Sequence, residues 1–153
     1  MSKPQRQRIA AYGVLTYSDQ ILLVRASSRS DAPDTWWLPG GGVDFGEHPR
    51  ECVVREFLEE TGLNVACGEL LDVVSDVMDW PHVRESVHTV RLLYAVTHVD
   101  GTLRGEANGT TDAVEWRPLE DASGLPLMPF VRDALSRIGR RDPQKKFLST
   151  NGF

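Results

Sequence analysis

Apolar residues recur along this chain in two rhythms. Residues 9–17 (IAAYGVLTY) and 21–25 (ILLVR) are β-type runs on either side of Ser18-Asp19-Gln20, which predicts a hairpin. Residues 36–39 form a short apolar entry segment before three consecutive glycines, Gly40, Gly41 and Gly42, which predict a turn where the backbone approaches something closely. Residues 64–78 and 85–99 carry alternating or continuous apolar runs and predict two long strands joined through residues 79–82, with a further short strand at 113–116. Helical spacing takes over in residues 48–61, begins again at 119–122, and returns at 128–138, where apolar residues fall at 128, 131, 135 and 138. Residues 26–35 and 100–111 are rich in loop-forming types. The pattern predicts one domain over residues 8–139, between a loose polar tail at 1–7 and a basic, flexible tail at 140–153. One mixed sheet with a helix on each side is the architecture it suggests.

The helix of residues 48–61 has two unlike faces. Pro49 suits the first helical position, Glu51 suits the acid of a capping box, and Gly62 is able to stop the helix at φ > 0. His48 stands where serine or threonine would cap, which predicts a weaker cap. Val53, Val54, Phe57 and Leu58 lie mostly on one side. Glu56, Glu59 and Glu60 share an arc of roughly 100° on the other. Like charges so placed repel, and most charge runs are merely a solvated face. Closely spaced carboxylates are also the setting that hard cations such as Mg²⁺ favour, together with water and phosphate oxygens.

Composition narrows the field without deciding it. The chain has 153 residues, 41% hydrophobic and 25% charged, which is ordinary for one globular domain. A net charge of −5 argues against a general nucleic-acid or membrane-surface binder. An anionic substrate would then need local positive charge from a metal or from placed arginines. Cys52 and Cys67 lack CxxC spacing and read as reduced thiols, and no apolar stretch is long enough for a membrane span. A cytoplasmic location is the expectation.

The acidic helix lies inside a longer pattern. Gly41, Glu47, Arg55, Glu56, Glu59, Glu60 and Gly62 occupy the fixed positions of G-x5-E-x7-R-E-U-x-E-E-x-G-U, where U is bulky and aliphatic. This resembles the signature of the Nudix hydrolases, the MutT-like pyrophosphohydrolases. Phe57 departs from it as an aromatic residue at an aliphatic position. Trp36, Pro39 and Gly40 before the signature, and Glu115, Trp116, Pro118 and Leu119 after it, also look like this family. The resemblance implies an α+β fold, the α/β/α sandwich of the Nudix proteins with a mixed β-sheet between helices. It implies metal-dependent hydrolysis of a nucleoside diphosphate linked to another moiety X, with water attacking phosphorus. Mg²⁺ is the implied cofactor, with Mn²⁺ as a substitute.

By the same resemblance Glu59 and Glu60 are metal ligands, Glu56 is a ligand or the base, and the Gly40 carbonyl is an added ligand. Arg55 orients carboxylates by ion pairing, including Glu47. Some relatives take their base from a later loop, where Glu106, Asp112 and Glu115 are the candidates and Asp112 sits just ahead of the Glu115-Trp116 strand. Arg25 and Arg91 interrupt apolar strands and are candidate phosphate clamps, while Trp37 and Trp80 are candidate base-stacking residues. The ADP-ribose branch tends to carry a proline where this chain has Met78, which weakens that substrate. Two other readings stay open. One is a non-catalytic nucleotide sensor, although such domains usually lose a motif carboxylate. The other is an enzyme acting on RNA 5′ phosphates with the Arg140–Lys146 stretch as its handle. Dimers are common among proteins of this kind.

Overall fold

The computed structural model of the protein describes residues 2–30, 32–80 and 82–141. Its strands form two four-stranded sheets. In the first, β1 (Gln5–Val14) runs parallel to β7 (Glu85–Gly101), in register from Gln5 opposite Ser86 to Val14 opposite Ala95. β6 (Leu63–Trp80) is antiparallel to β7 along the outer edge, and β5 (Gly40–Gly42) is antiparallel to β1, with Gly40 opposite Tyr12. In the second sheet β3 (Gln20–Ala26) pairs antiparallel with β2 (Thr16–Tyr17), β4 (Trp36–Trp37) and β8 (Thr111–Pro118). The helices are α1 (Pro49–Thr61), α2 (Leu119–Ala122) and α3 (Pro129–Arg141).

The strands are apolar on both faces because both faces are covered. Ala10, Tyr12, Leu23 and Leu93 pack with Ala122, Phe130, Val131 and Ala134 of α2 and α3. Their immediate chain neighbours Ala11, Leu22 and Tyr94 pack on the opposite side with Cys52, Val53 and Phe57 of α1. A strand's period of two thus sorts one run of residues into two cores. The result is the expected sandwich, helix over sheets over helices.

Four local expectations change. The ladder begins at Gln5, so residues 5–7 of the expected loose tail are strand; their polar side chains hid it, since backbone pairing with residues 86–88 needs no apolar side chain. Residues 40–42 are a paired strand, and the turn follows them. One sheet becomes two. His48 makes a full capping box: its Nδ1 accepts from the Arg50 N–H at 3.1 Å, and Glu51 accepts from the His48 N–H at 3.4 Å. At the other end Gly62 has φ 76°, and its N–H donates to the Leu58 carbonyl. The basic tail falls outside the described residues beyond Arg141, where α3 ends. Among the described residues no helix is long and apolar enough to cross a membrane.

Candidate active site

β5 lies across the acidic face of α1. The approach is so close that a Cβ at Gly41 would stand 2.8 Å from Glu56 Oε1, so any side chain there would displace the Glu56 carboxylate. One position earlier, the Gly40 N–H donates to Glu60 Oε1 at 2.9 Å. Glu60 is only 5% exposed. Burial pushes its carboxyl well above the usual carboxylate range, and the charges of Glu56, Glu106 and Glu59 push the same way against the single Gly40 donor. Burial raises Glu56 as well; Arg55 opposes that, while Glu59 and Glu106 add to it.

Arg55 is the hub beside these acids. Its Nε and Nη2 grip Glu47 at 2.8 and 2.9 Å in a bidentate pair, and its Nη1 reaches Glu56 at 2.9 Å. Glu59 and Asp44 lie at 3.6 Å, and Nη2 donates to the Gly42 carbonyl at 3.3 Å. Hydrogen bonding to Arg55 holds Glu47 down at about 2. The nearby Cys52 thiol is pushed up to about 12, first by burial and then by Glu47 and Glu56, so it is no nucleophile at neutral pH.

Arg55 compensates Glu47 and part of Glu56, and among the described residues no cation pairs with Glu60. Hard oxygen donors, partly or fully buried and in excess of the local positive charge, suit a divalent cation chemically. As they stand, no three Asp, Glu, His or Cys side chains among the described residues converge to enclose an ion. Binding would therefore draw Glu56 and Glu60 away from their present partners, Arg55 and the Gly40 N–H.

Glu56 and Glu60 line a cleft of about 340 Å³. Trp37, Arg91 and Trp80, candidates for substrate contact, line it. Arg25 and Asp112 do not: Val24 and Ala26 line the cleft, so the alternation of β3 turns Arg25 to the other face, where it pairs with Asp112 at 2.8 Å. Among the loop acids Glu115 pairs with Arg117 at 3.0 Å, and Glu106 is the one whose charge reaches both Glu56 and Glu60. The sequence reading missed Arg8 and Arg29, which also line the cleft. Arg8 lies two and four residues before Ala10 and Tyr12, in phase with a core face, and that phase was its available signal. Its guanidinium carbon stands 5.6 Å from the Trp80 ring centroid. Arg29 sits in a loop, where no periodicity marks it.

The family model described as the NUDIX domain matches residues 6–137. The chain belongs to the Nudix family. It is thus a Nudix-type pyrophosphohydrolase, of a family that generally uses divalent metal ions and acts on nucleotide-type small molecules. It is 28% identical over 119 residues to an uncharacterized Nudix hydrolase, YvcI of Bacillus subtilis, covering 76% of this chain and 69% of that one. It is 25% identical to an RNA pyrophosphohydrolase of Rhizobium meliloti, over 81% of this chain and 82% of that one. A solved MutT protein from Methanosarcina mazei superposes with a TM-score of 0.75 at 26% identity, covering 92% of this chain and 97% of the other. The Nudix signature residues are those gathered here around Arg55 and β5.

Proposed function

We propose that this Nudix domain is a Mg²⁺-dependent enzyme, with Mn²⁺ as a substitute, that hydrolyses the anhydride of a nucleoside diphosphate linked to another moiety X. The observation that carries this is Glu60, a buried carboxylate with one backbone donor and three acidic neighbours. Glu56, Glu59, Glu60 and the Gly40 carbonyl would hold the ion. When bound, Mg²⁺ would neutralise these acids and the diphosphate together and lower the barrier to attack at phosphorus.

The residues of the chain divide the remaining work. Arg55 positions Glu56 and Glu59 and keeps Glu47 ionised beside them. Arg8 and Arg29 supply positive charge for the phosphates. Glu106 accepts a proton from the attacking water; the new P–O bond forms as the bridging P–O bond breaks, and the leaving phosphate carries away its electron pair. Trp37 and Trp80 offer flat surfaces for a base.

Phosphate release, with a coupled phosphatase where needed, tests this on nucleoside triphosphates, dinucleoside polyphosphates, ADP-ribose and nucleotide sugars. Mg²⁺-dependent turnover lost in Glu60→Gln is the expected outcome. Tight nucleotide binding with no turnover of any substrate would point to a sensor instead. A second reading takes X to be an RNA chain, favoured by the similarity to an RNA pyrophosphohydrolase across four-fifths of the chain. Unchanged RNA turnover after deletion of residues 140–153 would remove that basic segment as its handle.

A further inference from the structure

Arg91 differs from the other arginines of the cleft. It is 3% exposed, whereas Arg8 is half-buried and Arg29 exposed. Parallel pairing with β1 sets Arg91 opposite Ala10, and Arg91 lines the same cleft as Glu56 and Glu60. Its Nη1 donates to Asp76 Oδ2 at 2.8 Å, and its guanidinium carbon lies 4.4 Å from the Phe130 ring centroid. Its Nε–H is buried without a hydrogen-bond partner among the described residues, and so is Asp76 Oδ1. Buried polar groups are nearly always paired, so an Arg91 donor left open in the lining of the cleft calls for a partner that the described residues do not supply.

Phosphate is the wrong partner. Asp76 already neutralises Arg91, while the more exposed Arg8 and Arg29 make no ion pair among the described residues. A neutralised, buried donor suits an uncharged acceptor. Tyr12, Trp37, Met78 and Met128 line the same cleft and give flat or apolar surface for a planar ring.

We propose, on the footing of the nucleotide-hydrolase reading above, that Arg91, held in place by Asp76, reads the nucleobase. It selects bases that carry a ring carbonyl, the 6-oxopurines and 4-oxopyrimidines, over their amino counterparts. Arginine has donors only, so a carbonyl oxygen accepts from it, while an exocyclic amino group at the same position sets N–H against N–H.

Inosine and adenosine nucleotides differ only at this edge and make the test. In the wild-type protein with Mg²⁺, kcat/KM for ITP should exceed that for ATP by about 10- to 100-fold, and UTP should exceed CTP similarly. Arg91→Gln, whose amide turns either its oxygen or its NH₂ to the base, should bring the ITP/ATP ratio to within about threefold of unity. The wild-type ratio needs no variant, so a poorly folding Arg91→Gln leaves the test intact. Calorimetric Kd values for IDP and ADP on Glu60→Gln read base preference without turnover. Equal kcat/KM for ITP and ATP, or a preference for ATP, overturns the assignment and leaves nucleotide hydrolysis standing. Tighter binding of IDP with no turnover overturns hydrolysis and leaves the base reading; binding of neither nucleotide overturns both.

Discussion

Replacing Glu60 by glutamine should make the metal-free protein more stable while abolishing its activity. Glu60 is 5% exposed, accepts one backbone hydrogen bond and faces Glu56, Glu59 and Glu106. Glutamine keeps the shape and an oxygen for the Gly40 N–H, and removes the buried charge. A poorly compensated buried carboxylate costs several kcal/mol, part of which the Gly40 donor returns, so relief of about 2 kcal/mol is expected. In a domain of this size that raises Tm by about 4–8 °C. Adding Mg²⁺ should reverse the order, because a ligand at 100 times its Kd stabilises the wild type by about 2.7 kcal/mol and has lost a principal ligand in the variant. Thermal unfolding followed by circular dichroism, in chelator and then in excess Mg²⁺, reads both effects. If Glu60→Gln unfolds below wild type in chelator, or if Mg²⁺ lifts both proteins equally, the electrostatic reasoning behind the site is wrong.

Three more perturbations separate the roles of neighbouring residues. Arg55→Met should lower Tm and flatten the acid limb of stability: Glu47 is held at about 2 by Arg55, so its contribution is complete above about 4.5 and is lost as pH falls from there toward 2. Because Arg55 is 32% and Glu47 14% exposed, that limb is worth about 1 kcal/mol after solvent screening, and an Arg55→Met midpoint equal to that of wild type at pH 5–7 would refute the hub. Glu106→Gln should cut kcat by about 10²–10⁴ with little change in KM, while Asp112→Asn stays near wild type; steady-state kinetics giving the reverse would return the base to Asp112. Gly41→Ala puts a Cβ 2.8 Å from Glu56 Oε1 and should depress kcat by about tenfold or more in a folded protein; full activity would mean that Glu56 is free to move aside.

Much of this molecule was legible in advance because its signals are local. The helix of the acidic box, its proline start and its glycine stop all fall within one stretch, and the two long strands announce themselves by their apolar runs. What the chain hides is long-range. Arg8 and Arg91 meet at one cleft because β1 and β7 pair in parallel, with Ala10 opposite Arg91, and no local pattern encodes that register. Arg25 looked as good a candidate as Arg91 until the phase of β3 was known. Asp112 is close in sequence to the right region, yet the ladder of β3 and β8 brings it to Arg25. The polar start of β1 was read as tail because pairing, and not side-chain burial, holds it in place.

The parallel pairing of β1 with β7 also sets when the site can exist during synthesis and folding. Val14 and its partner Ala95 are far apart in the chain, and residues on either side of that gap, Arg8 and Arg91, share the cleft with Glu60. A nascent chain that has released α1 holds every acid of the signature and still lacks the strand against which β1 must close. Loop closure over such a separation is slow compared with the formation of a helix or a hairpin. The acidic face is therefore made early and its counter-wall late, so an incomplete chain carries the carboxylates without the chamber that would let them act.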